Sequence, residues 1–392
     1  MRCLALIDGE HYAPVVRDAL AALPYEVAAA LLVGGTEKIA GGEDYGVPLV
    51  ERLEEAEDVD LVVDISDEPV LGPRERMLWA SRVLALGLPY VGADFRFDPP
   101  PFHEVPLPSL AVIGTGKRIG KTAVVGHVAR LLARDRDVVV VSMGRGGPPE
   151  PEVWRDPPGL EELVALARAG RHAASDHLET AALVGVPTVG CRRAGGGLAG
   201  AVLDSNVLAG VQAAAALGPD LLVFDGSGAA LPPVAADARI LVTGGAHDVR
   251  AGLNAYRVLV SDLVVDTGGA DHAEIRALKD VPVVPAELRL RPQEPLLGRR
   301  TAVFTTGPAP TEHLDAEVVH VSRNLARRDR LRTELERVDA DVYLVELKAA
   351  AIDVVAETAL VRGATVVLAA NDVVADGLDE LVLGLVETGV HA

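Results

Sequence analysis

The chain has 392 residues, 49% of them hydrophobic and 24% charged, enough for two or three domains that each bury a core. Its net charge of −20 at pH 7 argues against a nucleic-acid partner, because phosphate backbones call for a broad basic field. Cys3 and Cys191 give neither a disulfide framework nor a metal spacing, so a reducing cytoplasm is the simplest setting. No run of 18 apolar residues escapes a charge or a turn signal, so no membrane span or membrane partner is expected. Asp8 and Glu10 fall too early for a secretory signal. Basic residues are nearly all arginine; the five lysines are Lys38, Lys117, Lys121, Lys279 and Lys348, two of them in one short loop.

Residues 1–105 alternate apolar runs (LALI, VAAALLV, LVVDIS) with helix-like stretches at 13–22 and 73–86, an α/β pattern. The loop IDGEHYAPVV carries Asp8, Glu10 and His11 ahead of Pro14. By itself it reads as helix capping by Asp8 or Glu10. Five prolines in FDPPPFHEVPLP (97–108) forbid helix and disfavour a central strand, so this segment reads as a linker between domains.

From residue 106 onward the rhythm is strand–loop–helix: SLAVIGTG, VVVVSMGRGG, PTVGCRRAGGG, LLVFDGSG, ARILVTGG and LVVDTGG. Continuous Val/Ile/Leu runs suit a parallel sheet buried on both faces. The expected fold class is α/β: a P-loop NTPase core with a mainly parallel sheet over 106–392, plus a separate N-terminal α/β domain over 1–105. Beyond ELRLRPQEPLLGRR (287–300), the runs VVHVS, VYLVEL and TVVLAA read as a C-terminal extension of the core sheet over 299–392.

Chemistry concentrates in five stretches. AVIGTGKRIGKTAVV (111–125) joins an apolar strand to a helix candidate. The strict pattern G-x-x-x-x-G-K-[ST] needs glycine at 115, where this chain has Thr115 between Gly114 and Gly116. Glycines let backbone N–H groups converge on phosphate oxygens, and the new helix adds its positive end. Gly120 precedes Lys121, which would reach the β/γ-phosphates, and Thr122, whose hydroxyl suits Mg²⁺. LLVFDGSGAALPP (221–233) resembles the acidic residue and glycine-rich turn that follow a later core strand in dethiobiotin synthetase and its relatives, which implies Asp225 as a second Mg²⁺ contact, direct or through water; the alternative is the cap of a turn before Gly226.

VVSMGRGGPPEPE (140–152) ends a strand in a loop carrying Arg145 and Glu150, the latter a candidate metal ligand. VGCRRAGGGLAGA (189–201) sets Arg192 and Arg193 beside Gly195, Gly196 and Gly197, where guanidiniums and glycine N–H groups suit an anion. ASDHLETA (174–181) supplies Asp176, His177 and Glu179 without a metal spacing. A substrate or proton-handling role for His177 and a helix-surface role are both open.

GTGKRIGKTA (114–123), with its first glycine one place early, resembles the loop of dethiobiotin synthetase and its relatives. Five more stretches follow in order over nearly the whole chain: LIDGEHY (6–12), MGRGGPPEPE (143–152), CRRAGGGLAGA (191–201), DGSGAALPPV (225–234) and VELKAAAIDVVAETAL (345–360). Together the six resemble the cyclic 2,3-diphosphoglycerate synthetase family. The chain departs from that family's pattern at Asp225, where Glu is expected, and in a C-terminus that looks shorter.

The resemblance implies an enzyme that uses ATP and Mg²⁺ to close 2,3-diphosphoglycerate into a cyclic pyrophosphate, with ADP and phosphate released. It assigns Lys117, Lys121, Thr122 and Asp225 to the ATP side. Arg145, Arg192, Arg193, Gly195, Gly196, Gly197 and His177 go to the substrate phosphates, and Arg118 bridges the two. It also implies a homodimer, an N-terminal domain serving as a lid or in dimerisation, and a functional loop at Asp8, Glu10 and His11. Glu346 and Lys348 read as an internal ion pair at a strand end. Two rivals stay open: a kinase of a small phosphorylated acid such as 2-phosphoglycerate, and a nucleotide-driven switch or metallochaperone-type P-loop protein. Against the switch, the lysine near the loop start stands at 117 rather than 116, and no His- or Cys-rich tract offers a metal cargo.

Overall fold

The computed structural model describes residues 1–68, 70–244 and 248–389; Gly245, which closes the run ARILVTGG, lies outside them. The N-terminal elements are β1 (Arg2–Ile7), α1 (Ala13–Ala22), β2 (Glu26–Leu32), β3 (Leu49–Val50), β4 (Leu61–Asp64), α2 (Pro73–Ala85), β5 (Tyr90–Val91) and β6 (Arg96–Phe97). They form one six-stranded sheet in the order β3-β2-β1-β4-β5-β6, parallel except for β6. Both helices carry proline in the first turn, where a missing N–H costs nothing. Asp64, buried at the end of β4, accepts from the Ser66 amide at 2.9 Å, Arg76 Nε at 3.1 Å and the Tyr90 hydroxyl at 2.6 Å. A buried carboxylate needs such partners, and this network fixes the strand end.

The central elements are β7 (Ser109–Gly114), α3 (Lys121–Leu132), β8 (Val138–Gly144), β9 (Glu152–Trp154), α4 (Leu160–Arg168), α5 (Asp176–Val184), β10 (Thr188–Ala194), β11 (Asp204–Ser205), α6 (Val207–Ala215), β12 (Leu221–Asp225), β13 (Ala238–Thr243), α7 (Asn254–Leu259), β14 (Leu263–Asp266), α8 (His272–Leu278) and β15 (Val283–Pro285). The sheet runs β11-β10-β8-β12-β7-β13-β14-β15, with β9 paired to β10. The seven strands from β10 to β15 along it are parallel, and every residue of β7, β8 and β12 is buried, as continuous apolar runs require. α3 turns Val124, Val125, Val128, Ala129 and Leu132 inward at helical spacing. The helices α7 and α8 belong instead to the same compact unit as the N-terminal sheet, where α7 packs on α2.

After residue 286 the elements are β16 (Glu287–Pro292), β17 (Arg300–Phe304), β18 (Glu317–Ser322), α9 (Arg328–Leu335), β19 (Val342–Glu346), a π-helical turn (Ala351–Ala356), α10 (Glu357–Val361), β20 (Thr365–Val374) and α11 (Leu378–Gly389). The expected extension of the core sheet is not formed. These strands pair only with one another, in the order β16-β20-β19-β17-β18. The core sheet stops at the three-residue β15, which ends on Pro285, and β16 folds back antiparallel onto β20. This second sheet nevertheless shares a compact unit with the first. α5 lies in both cores: Leu178 packs with Phe304, Tyr343 and Val345, while Val184 packs with Val124 and Val128. α11 buries Leu378, Val382 and Val386 in the cluster around α3.

Candidate active site

The phosphate loop spans the end of β7 and the start of α3. Thr115, which displaces the glycine of the strict pattern, is buried and tied to β13: its amide donates to Val242 O at 3.2 Å and its hydroxyl meets that of Thr243 at 3.2 Å. Its side chain is thus occupied by the neighbouring strand. Gly120 is required as glycine, since its φ is +78° and an added Cβ would lie 2.5 Å from Leu288 Cδ1. Arg118 adopts φ +61° without being glycine, a strained position of the kind that collects at binding sites.

Lys121 donates to Asp225 Oδ1 and to Gly226 O. Asp225 is fully buried, and its other oxygen accepts from Ser142 Oγ at 3.4 Å. Strand register produces this, because Asp225 lies beside Val112 of β7 and Ser142 of β8. Burial pushes the Asp225 carboxyl above its ordinary range, and the Lys121 ammonium opposes that rise.

A cavity of about 780 Å³ opens over the loop, lined by 116–123, by Arg145 and Gly146 after β8, and by Ser227 and Gly228 after β12. The start of α5 and residues of the second sheet line the rest of it. Lys117, Arg118 and Arg145 are exposed into it, and no carboxylate lies within ion-pair distance of any of them among the described residues. The Lys117 ammonium is held below the usual lysine range, first by burial and then by Arg145, Arg193 and Arg118. Its stem passes over Gly228, where a Cβ would meet Lys117 Cγ at 3.4 Å. Unneutralised cations gathered in one concave site are what a polyanionic ligand fits.

The sequence singled out several residues that take other places. Arg192 and Arg193 point to opposite faces of β10, as neighbours on a strand do, and only Arg193 lies in the field of Lys117 and Arg145. Arg192 is exposed and donates from Nε to Gly147 O at 2.7 Å, while its amide is held by Asn206. Arg193 is buried, joining Gly195 O to Ser227 O, and its Nε has no hydrogen-bond partner. Gly195, Gly196 and Gly197 are exposed, and none lines the cavity. Glu150 is likewise exposed on its loop and away from the cavity. The Glu346–Lys348 pair is not formed; Lys348 pairs with Glu179 at 3.4 Å, and Glu346 accepts from Thr306 and Asn371.

His177 is also displaced from the role assigned to it. Helical spacing puts Asp176 and Glu179 on the cavity face of α5, with His177 turned away against Gly190, where a Cβ would lie 2.5 Å from the ring. Its Nδ1 meets Ser175 Oγ at 3.1 Å and its Nε2 is buried without a partner. Burial therefore lowers its pKa from 6.5 to about 4. The folded protein keeps this ring neutral while the unfolded chain protonates it, so stability is full above pH 6.5 and falls as pH drops toward 4. The expected loss is about 3 kcal/mol over that window. Urea unfolding at pH 7 and pH 4.5 should register it, and His177→Leu should remove this part of the pH dependence.

Asp8, Glu10 and His11 belong to the N-terminal unit. Asp8 is buried, and its oxygens accept from the amides of Glu10 at 3.0 Å and Asp67 at 2.8 Å and meet His11 Nδ1 at 3.1 Å. Burial opposes the ionised form, yet these hydrogen bonds hold the carboxyl below its ordinary range. That is the work of a turn anchor.

Strand, glycine-bearing loop and helix in a parallel sheet define a P-loop nucleotide-binding protein, here with cations assembled beside the loop. Models of the cyclic 2,3-diphosphoglycerate synthetase N-terminal, P-loop and C-terminal domains match residues 2–98, 109–281 and 293–372. The cyclic 2,3-diphosphoglycerate synthetase of Rubrobacter xylanophilus is 49% identical, with 98% of this chain and 97% of that protein covered. Those of Thermococcus kodakarensis and Methanothermobacter thermautotrophicus are 41% and 36% identical, covering 96% and 99% of this chain and 96% of each relative. The chain belongs to the cyclic 2,3-diphosphoglycerate synthetase family.

Proposed function

We propose that this chain uses ATP to close 2,3-diphosphoglycerate into its cyclic pyrophosphate, with release of ADP and inorganic phosphate. The names of its relatives support the substrate. Within the chain, the supporting observation is the group Lys117, Arg118 and Arg145 beside the phosphate loop in one cavity, without carboxylate partners among the described residues. ATP and a bisphosphorylated acid bring many negative charges to one point, so positioning and charge neutralisation dominate the catalysis.

In the proposed course, one substrate phosphate oxygen attacks the γ-phosphorus of ATP and ADP leaves. An oxygen of the second phosphate then attacks the phosphorus of the phosphate just extended. The terminal phosphate departs as inorganic phosphate, and the new P–O–P bridge closes the ring. Lys121, leaving Asp225, and Lys117 steady the ATP phosphates. Arg145 holds the substrate, and Arg118 spans the two.

The oxygen donors present fit Mg²⁺: among the described residues Thr122 lines the cavity with its hydroxyl in no hydrogen bond and Asp176 lines it in no ion pair, and the buried Asp225 lies next to Lys121. No cluster of three His, Cys, Asp or Glu exists among the described residues, in keeping with an ion held by few protein oxygens and by phosphate. When bound, Mg²⁺ would neutralise charge on the phosphates. Phosphorus NMR with ATP, Mg²⁺ and 2,3-diphosphoglycerate tests the reading. Pyrophosphate-type resonances should arise from the substrate together with ADP and phosphate. Unchanged diphosphoglycerate signals would overturn it, and turnover of 2-phosphoglycerate instead would make the protein a kinase.

A further inference from the structure

We infer that Lys348 forms a separate subsite in this cavity that takes the single carboxylate of the substrate, in exchange for the Glu179 carboxylate with which it is paired. This rests on the proposed function. The second sheet has its topological switch at β17, which is followed in sequence by β18 on one side and β19 on the other. Ligands of open parallel sheets bind outside the carboxyl ends of strands at such a point. There the loops after β17 and β19 bring Thr306, Gly307, Lys348 and Ala349 to the wall of the same cavity.

Charge decides which part of the substrate fits. Lys348 is a single cation with Glu179 at 3.4 Å and with Glu346 and Asp176 in its field. A dianionic phosphate would be repelled from that corner, whereas a monoanion can replace Glu179 one for one. The phosphates instead have Lys117, Arg118 and Arg145, which line the same cavity without an ion-paired carboxylate among the described residues. Glu346 is committed elsewhere: it accepts from the Thr306 amide at 2.8 Å and hydroxyl at 3.2 Å, and from Asn371 at 3.0 Å. It thereby fixes the turn beside Lys348. Ala349 has φ +49° although it is not glycine, and the Lys348 amide donates to Glu346 O at 2.8 Å, so a strained turn presents the lysine.

The exchange is linked to a proton. Glu179 faces Lys348 and Glu346 from β19 and its loop, and Asp176 from its own helix; Arg130 of α3, ion-paired with Asp372, lines a small cavity beside it. Burial raises the Glu179 carboxyl to about 7, and Lys348 is held above its usual range chiefly by Glu179. Above pH 7, Glu179 is ionised and competes for Lys348, and each carboxylate bound there requires one proton from solvent on Glu179. Below pH 7 that competition is already gone.

The test compares 2,3-diphosphoglycerate with propane-1,2-diol bisphosphate, which lacks the carboxylate. In Lys348→Met, KM for 2,3-diphosphoglycerate should rise on the order of 10- to 100-fold. KM for ATP and for the analogue should hold steady. An equal rise for both substrates, or a rise for ATP, overturns the subsite. In the unmutated protein KM for 2,3-diphosphoglycerate should climb from pH 6 to pH 8, and Glu179→Gln should flatten that climb. A flat profile in the unmutated protein overturns the exchange even if Lys348→Met does not fold. Failure of the unmutated protein to cyclise 2,3-diphosphoglycerate at all is a different result: it overturns the functional reading and takes this subsite with it.

Discussion

Lys121→Met should abolish ATP turnover, by on the order of 10³-fold or more, and should also destabilise the protein by about 3–5 kcal/mol. The two losses have separate causes. Turnover falls because the ammonium no longer reaches the phosphates. Stability falls because Asp225, fully buried and bonded to Lys121 and Ser142, is left as an uncompensated charge. Protonating Asp225 removes that charge, and its pKa is already raised by burial, so the stability deficit should shrink as pH falls. Asp225→Asn in the same chain should restore most of the stability and none of the turnover. Denaturant unfolding and ADP release measured on the single and double variants separate the two effects. A Lys121→Met protein as stable as its parent would mean that the buried pair does not hold this strand end.

Arg145→Ala and Arg192→Ala should differ sharply, although Arg145 follows β8 directly and Arg192 lies near the carboxyl end of the neighbouring β10. Arg145 is exposed into the cavity with no carboxylate partner, and it depresses the Lys117 pKa from close by. Removing it should cut cyclisation on the order of 10³-fold, as the loss of one transition-state cation does in phosphoryl transfer. KM for ATP should change little. Arg192 is bound to Gly147 O and lies outside the cavity, so its removal should leave the rate within a few-fold and cost about 1 kcal/mol of stability. Steady-state rates of the two variants decide the matter; an Arg192→Ala loss as large as that of Arg145→Ala would return the glycine loop at 195–197 to the substrate.

The phosphate loop was legible because its signal is local: Gly-Lys-Thr after an apolar strand fixes a turn, a helix start and an ammonium within ten residues. The parallel sheet was legible from its unbroken Val/Ile/Leu runs. What failed was anything that depended on direction. Arg192 and Arg193 look like one cationic pair as letters, but a strand sends them to opposite faces. Asp176 and Glu179 could have been separated from His177 by helical spacing alone, had α5 been assigned its start. Lys348 was read with Glu346, two residues away, because its actual partner Glu179 lies on α5, far back in the chain. The separate C-terminal sheet was hidden for a similar reason. β16 is antiparallel to β20, and nothing in ELRLRP names its partner.

The covering of α3 by α11 bears on how the protein is made. His127 and Asp379, 252 residues apart, meet at 2.7 Å, and Leu378, Val382 and Val386 sit in the cluster with Val124 and Val128. A ribosome adding about 5–20 residues per second therefore exposes the helix behind the phosphate loop for many seconds before its cover exists. During that interval the nascent chain carries a Gly-Lys-Thr loop on an incomplete core, and its apolar helix face is open to chaperones. The competent nucleotide site is consequently a late product of synthesis, and a chain halted before residue 378 should be recovered in aggregates rather than as a smaller enzyme.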